Sequence, residues 1–385
     1  LARGKTGDPL WDAAQRSLLI HGELHNNVRM TWGKALLNWT PDAQTALTLL
    51  IDLNHRYALD GRDPASYGGI LWCLGQFDRP FQPARPILGT VRDRSTTEHA
   101  KRLDPDRYCK HTTRPLHQPR PRAAVIGAGV SGLICARTLH DHGVEVAVFE
   151  KSRGVGGRMA TRRTAEGPRF DHGAQYFTVR DQCFERYVKS WAQDGIVAPW
   201  EGRICSLIDR RPQWKENATP RFVGVPGMSS ICRHLAVDLD IQFSTQLKAS
   251  ERRGNTWNIC DVGGRHLGEF DYVISSAPAP QSAELLAGAP ILQQQAMLAT
   301  MHACWAVMVS FDESLELPFD GAFVQESPLS WISRNDSKPD RGGDYESWVL
   351  HASADWSDRC IDEAPDTVLN YLIEAFWRAT GSKPR

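Results

Sequence analysis

Along the first sixty residues, apolar positions recur at helical spacing. A helix is predicted over about 24–39. Thr40, Pro41 and Asp42 then supply a hydroxyl N-cap, a proline at the first helical position and an acid in the first turn of a second helix. That helix carries Ala46, Leu47, Leu50, Ile51, Leu53 and Tyr57 on one apolar face. Asp60-Gly61-Arg62-Asp63-Pro64 breaks it. No period-two alternation occurs in this part, which therefore reads as all-α. The pattern changes at residue 122. Residues 123–126 form a buried strand, 127–132 a glycine turn, 133–142 a helix and 144–149 a second strand, a β-α-β unit in about 30 residues. Further strands are predicted at 257–262, 271–275, 305–311 and 347–352, so the second part is α/β.

Between the two patterns, residues 104–122 read DPDRYCKHTTRPLHQPRPR, polar, basic and proline-rich, with no apolar periodicity. Proline removes backbone donors and holds the chain extended, which predicts a linker; a nuclear-localisation or DNA-clamping arm is the alternative. Charge divides at the same seam. The 385 residues carry 45 Lys and Arg against 45 Asp and Glu. Residues 1–121 hold 17 against 12, a net of +5, and the remainder 28 against 33, a net of −5. The neutral total, which taken alone argues against a nucleic-acid partner, is thus a cancellation. Apolar residues at 41% and charged residues at 23% describe a globular chain of two or three domains. No apolar run reaches membrane-span length and no leader opens the chain, so a soluble, intracellular protein without a membrane partner is expected. Nine cysteines without a CxxC pair suggest reduced thiols, with neither disulfides nor a metal site. The chain opens at Leu1 without Met and stops inside a predicted helix, so both ends are expected to be cut.

Gly127-Ala128-Gly129-Val130-Ser131-Gly132 is a GxGxxG turn placed between a strand and a helix, with Glu150 closing the second strand 18 residues beyond Gly132. Gly127 permits the tight turn, Gly129 lets backbone approach a pyrophosphate, and Gly132 allows close helix–strand packing. The diphosphate then lies at a helix N-terminus, where free N–H groups and the dipole favour an anion. Glu150 would accept hydrogen bonds from ribose hydroxyls, which disfavours a 2′-phosphate. The fingerprint alone does not separate NAD from FAD. A second glycine pair follows, Gly156-Gly157-Arg158, allowing a second backbone approach to the cofactor.

With Phe170-Asp171-His172-Gly173-Ala174-Gln175-Tyr176-Phe177, Arg221–228 (RFVGVPGM), Val273–278 (VISSAP) and Trp331-Ile332-Ser333-Arg334-Asn335, these residues resemble the renalase-like FAD-dependent oxidoreductases of the amine-oxidase superfamily. The resemblance covers 122–385. It implies a Rossmann-type FAD-binding domain with an inserted β-rich substrate domain, a hydride taken from a reduced nicotinamide-like substrate, and O2 as acceptor. It further implies that Gln175 and Tyr176 lie near the flavin and that Asn335 reaches the substrate. His172 is read as a packed residue, and no general base is named. Nothing after Trp356 matches the Gly-Asp segment and Gly-Ala-rich helix with which that family closes, so this part is expected to be truncated.

Residues 1–112 resemble a different family, the class II cyclobutane pyrimidine dimer photolyases. The residues that carry this are Leu24-His25-Asn26-Asn27-Val28-Arg29-Met30-Thr31-Trp32-Gly33-Lys34, the run 52–64 (DLNHRYALDGRDP), 85–92 (RPILGTVR) and 103–108 (LDPDRY). Trp32 and Trp39, seven apart, share a helix face with about 10 Å of rise between them, a workable electron hop. With Trp11 they match the family's tryptophan chain. The resemblance further implies that Asn54 faces flavin N5, that Arg29 and Asp60 pair beside the isoalloxazine ring, that Trp72 packs on a flipped-out dimer, and that Arg92 contacts damaged DNA. The expected organisation is multi-domain: an all-α photolyase FAD-domain fragment at 1–112, a linker at 113–121 and an oxidoreductase at 122–385. Three functions compete: the oxidoreductase, a light-driven DNA repair lyase of which this chain is a fragment, and a non-catalytic fusion product.

Overall fold

The computed structural model describes residues 1–164, 169–214, 219–343 and 345–382. Contacts gather them into two compact units, Leu1–Arg122 with Thr138–Glu145, and Ala123–Arg137 with Val146–Arg385. Among the described residues, no helix is long and apolar enough to cross a membrane.

Six helices make the first unit: α1 (Pro9–His21), α2 (Asn26–Trp39), α3 (Ala43–Tyr57), α4 (Pro64–Cys73), α5 (Thr96–Ala100) and α6 (Pro105–Thr112). Short polar side chains start most of them. Asp8, Asp42, Asp63, Ser95 and Asp104 each accept a hydrogen bond from a first-turn N–H, as N-caps do. The sequence reading of the α3 start is corrected here. Thr40 belongs to the end of α2, its hydroxyl donating to Leu36 O at 2.8 Å. Asp42 takes the cap because its carboxylate accepts from both Thr45 N (2.7 Å) and Thr45 Oγ1 (3.0 Å). Residues 104–112 are likewise not extended linker. Asp104-Pro105-Asp106 is a cap, an N1 proline and a first-turn acid, and α6 packs on α1. Trp11, Leu18, Trp32, Leu36, Leu50 and Leu53 form the buried core.

Next along the chain, β1 (Arg122–Ile126) leads through the glycine turn into α7 (Val130–Asp141), whose last turn groups with the first unit, and on to β2 (Glu145–Phe149). The sheet order is Asp240–Gln242, β2, β1, Tyr272–Ser275. The outer pairs are parallel, with Val125 opposite Ile274 and Val148 opposite Ile241. A strand buried on both faces reads as an unbroken apolar run, and Ala123, Ala124 and Val125 have no exposed surface. Gly132 cannot carry a side chain, since a Cβ there would stand 2.0 Å from Gly127 O.

A six-stranded sheet follows, in the order Ala306–Phe311, Glu346–Ala352, Leu329–Arg334, Gly321–Val324, Ile204–Ile208, Arg211–Trp214. Helix Pro365–Thr380 covers one face, burying Val368, Leu372 and Phe376 against Leu207, Trp348 and Leu350. The strands predicted near 305–311 and 347–352 are antiparallel neighbours here, with Val307 opposite Leu350. The strand predicted at 257–262 runs Thr256–Cys260 in a separate antiparallel sheet.

A buried ionic cluster ties this unit together. The Asp171 carboxylate, 1% exposed, accepts from Thr161 Oγ1 (2.7 Å), Met228 N (2.9 Å) and Arg341 Nε (2.7 Å). Arg341 also donates to Gly224 O at 2.7 Å. Lys338 Nζ lies 4.0 Å from Asp171 and donates to Gln175 Oε1 at 2.9 Å. Burial pushes the Lys338 ammonium down to about 7, against the pull of Asp171 and with the push of Arg341.

Two outcomes follow from these contacts. Gly132→Ala should lower stability by about 2–3 kcal/mol in denaturant unfolding, because the turn must open to admit the methyl group; an unchanged midpoint would contradict the close approach. Between about pH 7 and the ordinary lysine range, the unfolded chain holds a proton on Lys338 that the folded chain lacks. This group's contribution to stability therefore rises with pH through that window, and below it the full penalty of burying the charge remains. Lys338→Met should accordingly raise Tm relative to the parent most at pH 6 and progressively less by pH 9. A difference constant with pH would overturn the assignment.

Candidate active site

The glycine turn is pinned at its start. Gly127 adopts φ +103° and donates from its N–H to Phe149 O at 2.8 Å, joining the turn to the end of β2. Leu133 N donates to Gly129 O at 3.0 Å, so helical bonding begins inside the motif. A Cβ on Gly129 would meet nothing within 4 Å, which leaves bare backbone facing open space. The second glycine turn lies against the first. Gly156 N donates to Ala128 O at 3.0 Å, and a Cβ on Gly157 would reach Gly129 Cα at 3.4 Å. A Cβ on Gly156, at φ +133°, would stand 2.9 Å from Ala160 Cα. Two stretches of side-chain-free backbone thus adjoin at the start of α7.

Glu150 stands beside them. It is buried, and its carboxylate accepts from Ala128 N at 2.7 Å and Ser152 N at 2.8 Å. Two carboxylate oxygens offer about four acceptor sites, so capacity remains for ribose hydroxyls. The residues present therefore fit the dinucleotide part of an FAD. Open backbone at Gly129 suits a diphosphate at a helix N-terminus, and an acid stands at the end of β2 for the ribose. Arg158 is exposed, and its carbonyl accepts from Ala174 N at 2.9 Å. Gly173 approaches that carbonyl so closely that a Cβ would lie 2.0 Å from it. The second glycine turn is docked in this way on the segment containing Gln175 and Tyr176.

Gln175 is buried, with its amide donating to the Asp171 and Gly173 carbonyls and accepting from Lys338. Tyr176 is half-buried among Trp200 (ring centroids 5.9 Å) and Trp331 (5.7 Å), with the Arg221 guanidinium over its ring at 5.2 Å. Lys338 Nζ faces Trp200 at 5.6 Å. Asn335 has no exposed surface. Its Oδ1 accepts from Asp171 N (3.2 Å) and its Nδ2 donates to Arg169 O (2.6 Å), so its contacts hold a strand in place. His172 is half-buried, its Nδ1 lacks a partner, and burial shifts its pKa downward, which favours the neutral ring. Sequence reasoning missed Lys338, Arg341, Trp200 and the carboxylate role of Asp171. The one available signal was the charged run 336–341 directly after an apolar strand.

In the helical unit, the three tryptophans are in contact. Trp11 stacks on Trp32 at 5.8 Å between centroids and 13° between planes, and meets Trp39 at 5.5 Å and 59°. Trp11 Nε1 donates to Trp32 O (2.9 Å) and Trp32 Nε1 to Gln15 Oε1 (3.1 Å). Trp11 and Trp32 are buried, whereas Trp39 is 43% exposed. Arg29 forks onto Asp60 at 2.7 and 2.8 Å, and these hydrogen bonds hold the Asp60 carboxyl below its usual range. Asn54 is buried and donates to Gly61 O (3.2 Å) and Ser66 Oγ (2.7 Å). Trp72 is exposed on α4, its Nε1 donating to Asp78 at 3.0 Å, and Arg92 lies over Phe81 at 5.6 Å.

Residues 125–191 match the family model of an NAD(P)-binding Rossmann-like domain. Short stretches of the chain are similar to flavin oxidases. It is 45% identical over 64 residues to the L-glutamate oxidase precursor of Streptomyces diastatochromogenes (16% of this chain, 10% of that protein). It is 38% identical over 65 residues to the flavin-containing amine oxidase B of Canis lupus familiaris (17% and 12%). It is also 37% identical over 125 residues to the deoxyribodipyrimidine photo-lyase of Oryza sativa subsp. japonica, covering 32% of this chain and 24% of that protein. The chain spans about a quarter or less of the length of these curated relatives. Among solved structures, a putrescine oxidase variant superposes with TM-score 0.53 at 14% identity, covering 68% of this chain and 82% of that one. An oxidoreductase from Methanosarcina mazei gives 0.52 at 14%, covering 68% and 85%. The chain therefore combines a Rossmann-like segment inside an amine-oxidase-like fold with a stretch similar in sequence to photolyases.

Proposed function

We propose that residues 122–385 form an FAD-dependent oxidoreductase of the renalase-like kind, acting on a small reduced substrate of dihydronicotinamide type with O2 as acceptor. The observation that carries this reading is the pair of adjoining glycine turns, open at Gly129 and flanked by the buried Glu150 carboxylate. FAD, when bound, would supply the hydride-accepting ring that O2 reoxidises, giving H2O2. The chain's own contribution is binding and orientation. The 127–132 turn, Gly156 and Gly157 would hold the diphosphate, and Glu150 would hold the ribose. The Asp171–Arg341 pair and Lys338 fix Gln175. Tyr176, Trp200 and Trp331 form an aromatic wall that excludes water. Hydride transfer needs alignment more than a titrating side chain, and no residue is assigned as a base.

A second reading belongs to the helical unit, favoured by the stack Trp39–Trp11–Trp32, which leads from an exposed ring to a buried one. Within a longer chain it would carry an electron inward to photoreduce the flavin of an enzyme for light-driven repair of pyrimidine dimers, with Trp72 and Arg92 toward damaged DNA. The third reading, a fusion product without catalysis, has no structural feature in its favour.

The purified chain should retain a flavin band near 450 nm that a dihydronicotinamide bleaches under argon, with H2O2 appearing once air is admitted. Gly129→Val should weaken FAD binding at least tenfold while leaving the Tm of the FAD-free protein unchanged, since a Cβ there meets nothing within 4 Å. A flavin-free protein that takes up no added FAD sinks the oxidoreductase reading. Light-dependent loss of thymine dimers, abolished by Trp32→Phe, would instead establish the repair reading.

A further inference from the structure

We propose that a cleft on the six-stranded sheet side of the second unit binds the phosphate of a mononucleotide-type substrate, with the substrate's heteroaromatic ring held against tryptophan. This deepens the oxidoreductase reading and rests on it, since it concerns which form of the reduced nicotinamide the site selects. The cleft measures about 650 Å³ and is lined by Trp200, Glu201, Arg203, Trp214 and Arg221, among others. That volume lies within the roughly 300–1,000 Å³ of sites that enclose small ligands.

Each wall has its own chemistry. Trp200 is 4% exposed and its ring adjoins Tyr176, so the cleft shares a wall with the aromatic cluster described above. Trp214 is 54% exposed and is held at its height by the hairpin register that sets it opposite Cys205. An indole half in water at the mouth of a cleft offers a stacking face to a planar ring. Among the described residues that line it, two arginines stand against the single carboxylate of Glu201. Arg203 is 3.6 Å from Asp320, but that carboxylate already accepts from Arg334 and from the Arg203 backbone N–H at 2.7 Å. Its guanidinium is largely exposed at 59%. The Arg221 guanidinium rests on the Tyr176 ring face, which orients the fork without consuming its hydrogen bonds. Planar guanidinium forks match phosphate oxygens two at a time, and two of them suit a dianion better than a carboxylate.

The test uses the full chain, titrated with reduced nicotinamide mononucleotide, reduced nicotinamide riboside and inorganic phosphate, following tryptophan fluorescence. The mononucleotide should bind at least tenfold more tightly than the riboside. Arg203→Gln should cost three- to fivefold in mononucleotide affinity, and the double variant with Arg221→Gln should remove most of the advantage, while the riboside Kd stays unchanged in both. Trp214→Ala should weaken both nucleosides and leave competition by phosphate intact. Equal affinity of mononucleotide and riboside overturns the proposal, as does an advantage that survives in the double variant at unchanged Tm. Phosphate competing as well as the mononucleotide overturns the stacking half. If both nucleosides bleach the flavin with equal kcat/KM and equal affinity, the cleft assignment fails and the oxidoreductase reading stands. Selective mononucleotide binding without any flavin reduction has the opposite meaning.

Discussion

The Asp171 carboxylate is the contact on which the site depends. It draws together four separate pieces of chain: the strand Thr161–Arg163, its own strand Arg169–Asp171, the start of the helix Ser229–Ala236, and the loop that brings Arg341 and Lys338 inward. Burying an ion pair gains little net stability over apolar packing, yet leaving one partner unpaired costs several kcal/mol. Such a pair therefore acts more as a register mark than as a source of stability. Gln175 and Asn335 inherit their placement from it, one through Lys338 and the Asp171 carbonyl, the other through the Asp171 N–H.

The two units solve the placement of aromatic rings differently. In the helical unit, three indoles touch in series, and hydrogen bonds from Trp11 and Trp32 fix the buried members. In the second unit, Tyr176 contacts both Trp200 and Trp331, and cationic groups lie over Tyr176 and Trp200. Rings whose faces are free of cations suit conduction from a surface inward, whereas rings faced by cations suit a wall.

The glycine turn, β1, α7 and β2 were legible because their pattern is local: an apolar run, three glycines at fixed offsets and an acid at the end of the next strand. The ionic cluster was not, because Asp171 and Arg341 are 170 positions apart and neither carries a periodic signal. The boundary between α2 and α3 was misread because Thr40-Pro41-Asp42 satisfies two capping registers. Only the double hydrogen bond from Thr45 to Asp42 decides between them. The helix at 105–112 hid in a basic, proline-rich stretch whose composition outweighed a three-residue capping signal. The seven-residue spacing of Trp32 and Trp39 suggested a direct hop, whereas Trp11, from a helix the periodicity did not reveal, sits between them.

Glu150 holds the glycine turn by accepting from Ala128 N, and the second turn is bonded to the same residue's carbonyl through Gly156 N. The loop that would receive a diphosphate is thus already folded around its own acid. Ordering a loop on binding consumes interaction energy that then never appears as affinity. Here that entropy is lost once, when the chain folds, so the receptor meets its ligand as a rigid mould, not as a segment still searching for its shape.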